Sequence, residues 1–292
     1  MRSLLFVPAD SVRKLDKAMS SGADALIVDL EDSIALDGKT HAREAAVAFL
    51  KNAMTSATRP YLMVRVNGLQ TGLTDADLDA IAPAKPDAIM LPKAEGGAAL
   101  VHADAKLAAR EAQNDLADGH IKILPIATET AAALFLVGTF AGASARLIGM
   151  TWGAEDLSAE LGARTNRDEQ GRFLDPYRLA RSLCLAGAAA AAVPAIDTVF
   201  VDFRNDVGFR RECEEACRDG FVGKMAIHPA QVPIINEVFT LSAHAIAHAQ
   251  SVIAAFAAAP GAGVVGIGGV MYDRPHLVRA KQLLARASSR PE

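Results

Sequence analysis

Eight short apolar runs, each bounded by turn residues, recur along this chain of 292 residues and constrain its fold more than any other feature. They occupy residues 3–8, 25–30, 61–66, 88–91, 121–127, 146–151, 198–203 and 222–227. The runs show almost no alternation of apolar and polar residues, which is typical of parallel strands covered by helices on both faces. We therefore interpret each run as a buried strand of one parallel sheet.

Segments with helical spacing follow these runs, so that strand and helix alternate eight times. They cover residues 11–20, 39–52, 73–81, 98–115, 131–141, 176–192, 206–218 and 230–258. Eight consecutive βα units favour an α/β fold of the closed (β/α)₈ TIM barrel type, although an open sheet with an extra unit also fits the pattern. We predict a barrel domain over residues 1–260 and, over residues 261–292, a C-terminal extension that begins rich in glycine and ends in a basic helix.

Charge and composition favour a small-molecule partner over a nucleic acid or a membrane. The 30 basic and 34 acidic residues are interspersed and give a net charge of −4, so no basic surface for an anionic polymer is expected. Pro194 and Asp197 interrupt the alanine-rich stretch 185–201 short of the roughly 20 apolar residues that a membrane span needs. Cys184, Cys213 and Cys217 form neither a disulfide framework nor a CxxC pair. We expect a cytoplasmic protein.

Polar side chains gather where each predicted strand gives way to the next helix. They are Asp29, Glu31 and Asp32 at the end of the second run, Arg65 and Asn67 at the end of the third, Lys93 after the fourth, Glu129 after the fifth, Glu155 and Asp156 after the sixth, Asp202 and Arg204 at the end of the seventh, and His228 after the eighth. In barrel enzymes this face holds the active site. An ordinary helix cap is the alternative for any one of these residues taken singly.

Glu129 and Asp156 are the candidate metal ligands. They follow neighbouring predicted strands, so their carboxylates are expected to converge at one mouth of the barrel. Mg²⁺ prefers oxygen ligands and usually takes one or two protein carboxylates, which leaves positions for water and substrate. The sequence therefore predicts a magnesium site at Glu129 and Asp156.

Arg65 is the candidate binder of a substrate carboxylate, because its planar guanidinium forms two parallel hydrogen bonds with such a group. A structural pairing of Arg65 with Glu31 or Asp32 is compatible with that role. Lys93 could form a Schiff base with a carbonyl substrate, but the neighbouring metal pair favours an electrostatic role. For His228, a hydrogen-bonded core histidine is favoured over a catalytic group.

The glycine-rich start of the extension matches the pattern GxGxxG at residues 261–266. A predicted helix, and not a strand, precedes it, so the context of a dinucleotide-binding turn is missing. We reject a nucleotide cofactor on that ground.

Across essentially its whole length the chain resembles the HpcH/HpaI aldolase and citrate lyase beta-subunit family. The resemblance rests on an ordered set of blocks: residues 2–9 (RSLLFVPA), 29–33 (DLEDS), 64–67 (VRVN), 91–93 (LPK), 129–131 (ETA), 153–157 (GAEDL), 223–231 (GKMAIHPAQ) and 269–276 (GVMYDRPH). Each block alone is weak, but the ordered set is specific. One departure is Tyr272, where the family usually has an aliphatic residue.

The resemblance implies a (β/α)₈ barrel with Mg²⁺ on Glu129 and Asp156, and with Arg65 holding the carboxylate of a 2-oxo acid. Glu31 and Asp32 would border this catalytic site. Gly153, Ala154 and Glu155, in the block that carries Asp156, are the further substrate-binding candidates.

The resemblance also implies acyl-CoA substrates, a homotrimer or homohexamer, and a C-terminal lid whose Asp273 reaches the active site of a neighbouring subunit. Arg13 and Lys17 on the first predicted helix are candidates for contacts with the phosphates of CoA. A solvated helix face is the alternative for both.

We therefore expect a magnesium-dependent carbon–carbon lyase that cleaves or forms a 3-hydroxyacyl-CoA, such as citryl-CoA or malyl-CoA. Asp273 is the candidate for proton transfer at the thioester's methyl carbon, with Glu31 or a water on the metal as alternatives. One competing hypothesis is a metal-dependent aldolase that releases pyruvate without CoA. Another is a citrate-lyase-type subunit that is inactive without partner chains.

Overall fold

The computed structural model describes residues 1–288 and divides the chain into two units, Met1–Phe239 and the segment from Thr240 onward. A parallel sheet forms the centre of the first unit. Its strands are β1 (Ser3–Pro8), β2 (Ala25–Asp29), β3 (Tyr61–Arg65), β4 (Ala88–Leu91), β5 (Lys122–Pro125), β6 (Ile196–Asp197) and β7 (Gly223–Ala226). Within residues 1–288 these seven strands run in the order β5-β4-β3-β2-β1-β7-β6. The predicted α/β fold with a parallel sheet is confirmed.

Helices connect the strands. They are α1 (Val12–Ala18), α2 (Lys39–Ala53), α3 (Thr74–Ile81), α4 (Gly96–Gln113), α5 (Ala131–Leu136), α6 (Glu155–Glu160), α7 (Asp175–Ala190), α8 (Asp206–Asp219) and α9 (Gln231–Val238). Local sequence sets several of their ends. Thr130 accepts a hydrogen bond from the N–H of Ala133 at the start of α5, and Asn205 accepts one from Gly208 at the start of α8. Such caps satisfy backbone N–H groups that the helix itself leaves unpaired.

Alternate residues of the strands pack into two different cores. Leu26, Val28 and Val64 belong to a large core shared with residues of the helices. Ile27 and Met63, their neighbours along the same strands, belong to a second core made largely of strand residues. Because successive side chains of a strand face opposite sides, the two cores lie on the two faces of a curled sheet. This explains why the runs are apolar at every position.

The predicted strand 146–151 appears as isolated parallel bridges and not as a continuous ladder. Ile123 pairs with Leu147 and Ile126 with Thr151, so the segment lies beside β5. On its other side, Met150 pairs with Ala195, the residue before β6.

The predicted strand 198–203 is wrong in its position. The observed strand, β6, is Ile196–Asp197, and the ladder ends there. Thr198 and Val199 instead line a cavity, while the side chains of Val201 and Phe203 are exposed. The run therefore continues past the end of the strand, and its first two residues line the cavity.

The second unit contains α10 (Ala243–Ala258), the strands β8 (Val264–Ile267) and β9 (Val270–Asp273), and α11 (Arg274–Ser288). The glycine-rich segment is thus an antiparallel hairpin, and Gly268 and Gly269 both have positive φ in its two-residue turn. Such turns favour glycine because a side chain disfavours positive φ. A small core that includes Val252, Phe256 and Val265 joins these elements.

The division at Phe239 falls earlier than the boundary predicted at residue 260. One long helix was expected over residues 230–258, but residues 239–242 separate α9 from α10. Ser242 caps α10 by accepting a hydrogen bond from the N–H of Ala245.

The stretch Gln231–Ala258 has the length and apolar composition of a membrane span. α10 alone, with 16 residues, spans about 24 Å, less than the roughly 30 Å of a bilayer core.

Gly223 on β7 has no room for a side chain, because a Cβ there would lie 2.3 Å from the carbonyl oxygen of Arg2. We expect Gly223→Ala to lower the free energy of unfolding by about 1–3 kcal/mol, since backbone atoms must shift. Urea denaturation measures this change. Gly138→Ala is the matched control, because a Cβ at Gly138 meets nothing within 4 Å. Equal stability of the two variants would contradict the close packing of β7 against the start of β1.

Candidate active site

A cavity of about 330 Å³ opens at the carboxyl ends of the strands. Its lining includes Phe6 of β1, Asp29 of β2, Arg65 of β3, Glu129 after β5, and Trp152 and Asp156 after the bridged segment. Ligand sites in proteins are commonly concave and mostly apolar, with a few polar groups placed to orient the ligand. This cavity combines apolar walls with several charged side chains.

Arg65 is held by a bidentate pair with Asp29. Its Nε and Nη2 lie 2.7 Å from the two carboxylate oxygens of Asp29. The two residues are partners in the register of β2 and β3, so the sheet itself brings them together. Burial acts to raise the pKa of Asp29, but the hydrogen bonds and charge of Arg65 outweigh burial and lower it. Nη1 remains 3.0 Å from Oε2 of Glu31, and the guanidinium lies over the ring of Phe6.

Glu31 and Asp32 follow β2 at the same mouth. Glu31 is buried and Asp32 is exposed. Burial raises the pKa of Glu31, although Arg65 and Lys93 act in the opposite direction. The buried ammonium of Lys39 holds the loop in place by donating to the carbonyl oxygens of Leu30 and Glu31, at 2.7 Å each.

Glu129 is buried and accepts a hydrogen bond from the backbone N–H of Lys93 at 2.6 Å. Burial, followed by repulsion from Asp156, raises the pKa of Glu129 to about 8. Asp156 lies in the first turn of α6 and is only partly buried. The two predicted ligands therefore sit close enough to repel each other.

Gly153 is packed against Glu129. A Cβ at Gly153 would lie 2.6 Å from Cγ of Glu129, so only glycine lets this carboxylate keep its position. Ala154 and Glu155 also line the cavity. The Oε1 of Glu155 accepts a hydrogen bond from Asn166, at 2.8 Å.

Lys93 is the main residue of the site that sequence reasoning underrated. Its Nζ lies 2.6 Å from Oε1 of Glu31 and 3.0 Å from Oδ1 of Asp156. Burial acts to lower the pKa of Lys93, but the hydrogen bond and attraction to Glu31 outweigh burial and raise it. Its position two residues after β4 was the available signal.

Trp152 was missed as a wall of the cavity. Its indole Nε1 donates to Oδ1 of Asp197 at 2.7 Å. Lys224, which is fully buried, donates to Oδ2 of the same carboxylate and to Glu212. These contacts join residues far apart in the chain, and no local pattern in the sequence indicates them.

The carboxylates of this mouth fit a magnesium ion. Among residues 1–288 no three His, Cys, Asp or Glu side chains form a metal-binding group. Mg²⁺ usually needs only one or two protein carboxylates, and Glu129 with Asp156 supplies two. A divalent cation beside them would also offset the repulsion from Asp156 that, together with burial, raises the pKa of Glu129.

Two predicted residues lie outside the lining of this cavity. Arg13 and Lys17 are exposed on α1, and neither has a side-chain partner within the described part of the chain. Asp273 ends β9 in the second unit, where its carboxylate is hydrogen-bonded to the ring of His276. As for His228, it stacks on Phe203 and its Nδ1 accepts the N–H of Ala230.

Known proteins match this chain over most of its length. Residues 2–229 match the family model described as HpcH/HpaI aldolase/citrate lyase. A (3S)-malyl-CoA thioesterase of Cereibacter sphaeroides is 37% identical over 294 residues, which cover 99% of this chain and 95% of that protein. An L-malyl-CoA/beta-methylmalyl-CoA lyase of the same species is 33% identical over 305 residues, which cover 98% and 94%.

Among solved structures, the protein CitE from Mycobacterium tuberculosis, in complex with magnesium, acetoacetate and coenzyme A, is similar with a TM-score of 0.77. It is 33% identical, and the match covers 99% of this chain and 98% of that one. The expected class, a carbon–carbon lyase, is the class of this family and of its malyl-CoA lyase members. The chain belongs to the HpcH/HpaI aldolase/citrate lyase family.

Proposed function

We propose that the chain is a magnesium-dependent lyase that cleaves or forms a 3-hydroxyacyl-CoA, with malyl-CoA as the leading candidate. The observation that supports this most is the placement of Glu129, Asp156 and Arg65 on one cavity. A dicarboxylic acyl thioester needs both a cation for its oxygens and a guanidinium for its free carboxylate. The malyl-CoA lyase and thioesterase relatives add support for the substrate class.

A closed (β/α)₈ barrel is part of this proposal. The bridges of segment 147–151 to β5 and to Ala195 support closure, because they leave neither side of that segment unpaired. A closed ring would bring the ends of β2, β3 and β5 around one mouth.

Arg65 would bind the free carboxylate of the substrate. Its Nε and Nη2 are committed to Asp29, so Nη1, which lies 3.0 Å from Oε2 of Glu31, is the nitrogen that would contact the ligand. Because the pair with Asp29 fixes the plane of the guanidinium, the substrate would meet a preoriented donor.

Glu129 and Asp156 would hold the magnesium ion, which when bound supplies a Lewis acid for the oxygens of the 2-oxo acid. Glu31, whose pKa burial raises, is a candidate to take the proton of the 3-hydroxyl group. The bond between Cα and Cβ then breaks, and its electron pair passes to the acyl-CoA enolate. Asp273 of a second copy would deliver a proton to that carbon.

A second candidate is hydrolysis of the same thioester, favoured by the 37% identity to (3S)-malyl-CoA thioesterases. Both reactions would use the same carboxylate-binding site. They differ in the bond that breaks, which is carbon–carbon in the lyase and carbon–sulfur in the hydrolase. The trimeric or hexameric assembly, the cytoplasmic location and the CoA contacts of Arg13 and Lys17 stay predictions.

The experiment that tests the proposal is product analysis with purified protein, Mg²⁺ and malyl-CoA. We expect acetyl-CoA and glyoxylate in equal amounts without free thiol. Malate with an equal amount of free CoA would favour the hydrolase. Turnover of thioester-free hydroxy-keto acids to pyruvate would favour the aldolase, and no turnover of malyl-CoA or citryl-CoA would favour a subunit that needs partners. Glu129→Gln and Asp156→Asn should each abolish turnover, and excess chelator should abolish turnover of the wild type. Full activity of the wild type in excess chelator would contradict a role of the metal.

Asp29→Asn should lower the free energy of unfolding by about 2–3 kcal/mol at pH 7, because Arg65 loses its charged partner. The folded-state pKa of Asp29 lies below its ordinary value of 3.8, so this contribution is present above pH 3.8 and is lost as the pH falls through the folded pKa. Denaturation of both proteins between pH 3 and pH 7 should show the difference shrinking toward the acid end. Asp168→Asn, in an exposed pair with Arg172, serves as the control and should change little.

Asp273→Asn should lower kcat by about 100-fold or more, because an amide cannot exchange the proton. Asp273 also accepts a hydrogen bond from the N–H of His276 at the start of α11, which asparagine can still accept. The melting temperature should therefore stay near that of the wild type, while Asp273→Ala loses both functions. An unchanged kcat in Asp273→Asn would remove this residue from the mechanism.

A further inference from the structure

Lys93 stands in an unusual backbone conformation at the centre of the acidic mouth. Its φ is +50°, in the left-handed region that disfavours residues with a side chain. Such conformations cost free energy and are found where surrounding contacts hold them. Here the N–H of Lys93 donates to Glu129, and its Nζ reaches Glu31 and Asp156. Its Nζ also lies 3.5 Å from Oδ2 of Asp32, so one residue contacts four carboxylates that come from three different parts of the sheet.

Negative and positive side chains at the mouth of the cavity are unequal in number. Carboxylates outnumber cations, because Arg65, Lys93 and the buried Lys39 face five carboxylates: Asp29, Glu31, Asp32, Glu129 and Asp156. Arg65 commits two of its nitrogens to Asp29. Within residues 1–288, Lys93 is the only cation paired with Asp156. Asp156 thus has its charge balanced by an internal ammonium.

We propose that Lys93 is a positioning residue that holds Glu31 and Asp156 in place and competes with the divalent cation for Asp156. The inference rests on the proposed function, since it takes Asp156 as a metal ligand. An ammonium 3.0 Å from Oδ1 of Asp156 already occupies one of the two oxygens that a metal could bind. A cation that binds there must displace the ammonium or accept its repulsion, so Lys93 holds down the affinity of the free protein for metal.

Lys85 offers a matched comparison at the other end of β4. It also has a left-handed backbone, with φ +57°, but its side chain is exposed and has no partner among the described residues. The left-handed conformation therefore does not by itself require a bound ammonium. The contacts of Lys93 are a property of the mouth.

Titration calorimetry with Mg²⁺ alone tests the inference without any substrate. We expect Lys93→Met to bind Mg²⁺ about tenfold more tightly than the wild type, because the competing charge is gone. Lys93→Arg, which keeps the charge, should stay near the wild-type affinity, and Lys85→Met should not change it. A purely structural role predicts the reverse, with weaker binding and a lower melting temperature. Unchanged or weaker binding by Lys93→Met would overturn the inference.

A second measurement uses the wild-type chain, in case the variants fail to fold. Pulse labelling of lysines with acetic anhydride, read by mass spectrometry, should show faster labelling of Lys93 when Mg²⁺ is added, with Lys85 unchanged. Labelling of Lys93 that Mg²⁺ leaves unchanged or slows would overturn the competition. Wild-type protein that binds no Mg²⁺ would overturn the metal site itself, whereas wild-type binding without a gain in Lys93→Met would overturn the role of Lys93 alone.

Discussion

The pair between Asp29 and Arg65 is the interaction on which the rest of the mouth depends. It follows from the register of β2 and β3, which sets the two residues side by side at the ends of their strands. With two of its nitrogens committed, the guanidinium has a fixed plane, and its third nitrogen reaches Glu31. Glu31 in turn anchors Lys93, and Lys93 joins the carboxylates on the far side. A hydrogen-bonded pair between adjacent strands thus orders side chains from four parts of the sheet.

Much of this arrangement could be predicted from the sequence, because parallel strands must present their carboxyl ends at one edge. Glu31, Arg65, Glu129 and Asp156 lie at or shortly after the ends of buried apolar runs, and the structure brings them together. The position of the strand predicted at residues 198–203 was wrong, since apolar residues that line a cavity look the same in sequence as apolar residues of a strand. Trp152 and Lys224 were missed because their contacts depend on residues distant in the chain.

Membership of the family does not decide between carbon–carbon cleavage and hydrolysis of the thioester. Details of the cavity decide which of the two reactions occurs. The two malyl-CoA relatives break different bonds of the same kind of thioester. A carboxylate-binding arginine and a pair of acidic ligands would serve both, so the outcome depends on whether water reaches the thioester carbon. In this chain Trp152, held by Asp197, forms part of the wall of the cavity.

The contacts of Asp273 within its own unit restrict how its carboxyl group can move. The carboxylate of Asp273 is hydrogen-bonded to both the backbone N–H and the ring of His276. Asp273 is also the last residue of β9, and α11 begins at the next residue. Rotation about its side-chain bonds is therefore restrained, and the group travels with the hairpin and helix as one body. In the reaction proposed above, Asp273 would therefore move on the slow timescale of a structural unit and not on the fast timescale of a side chain.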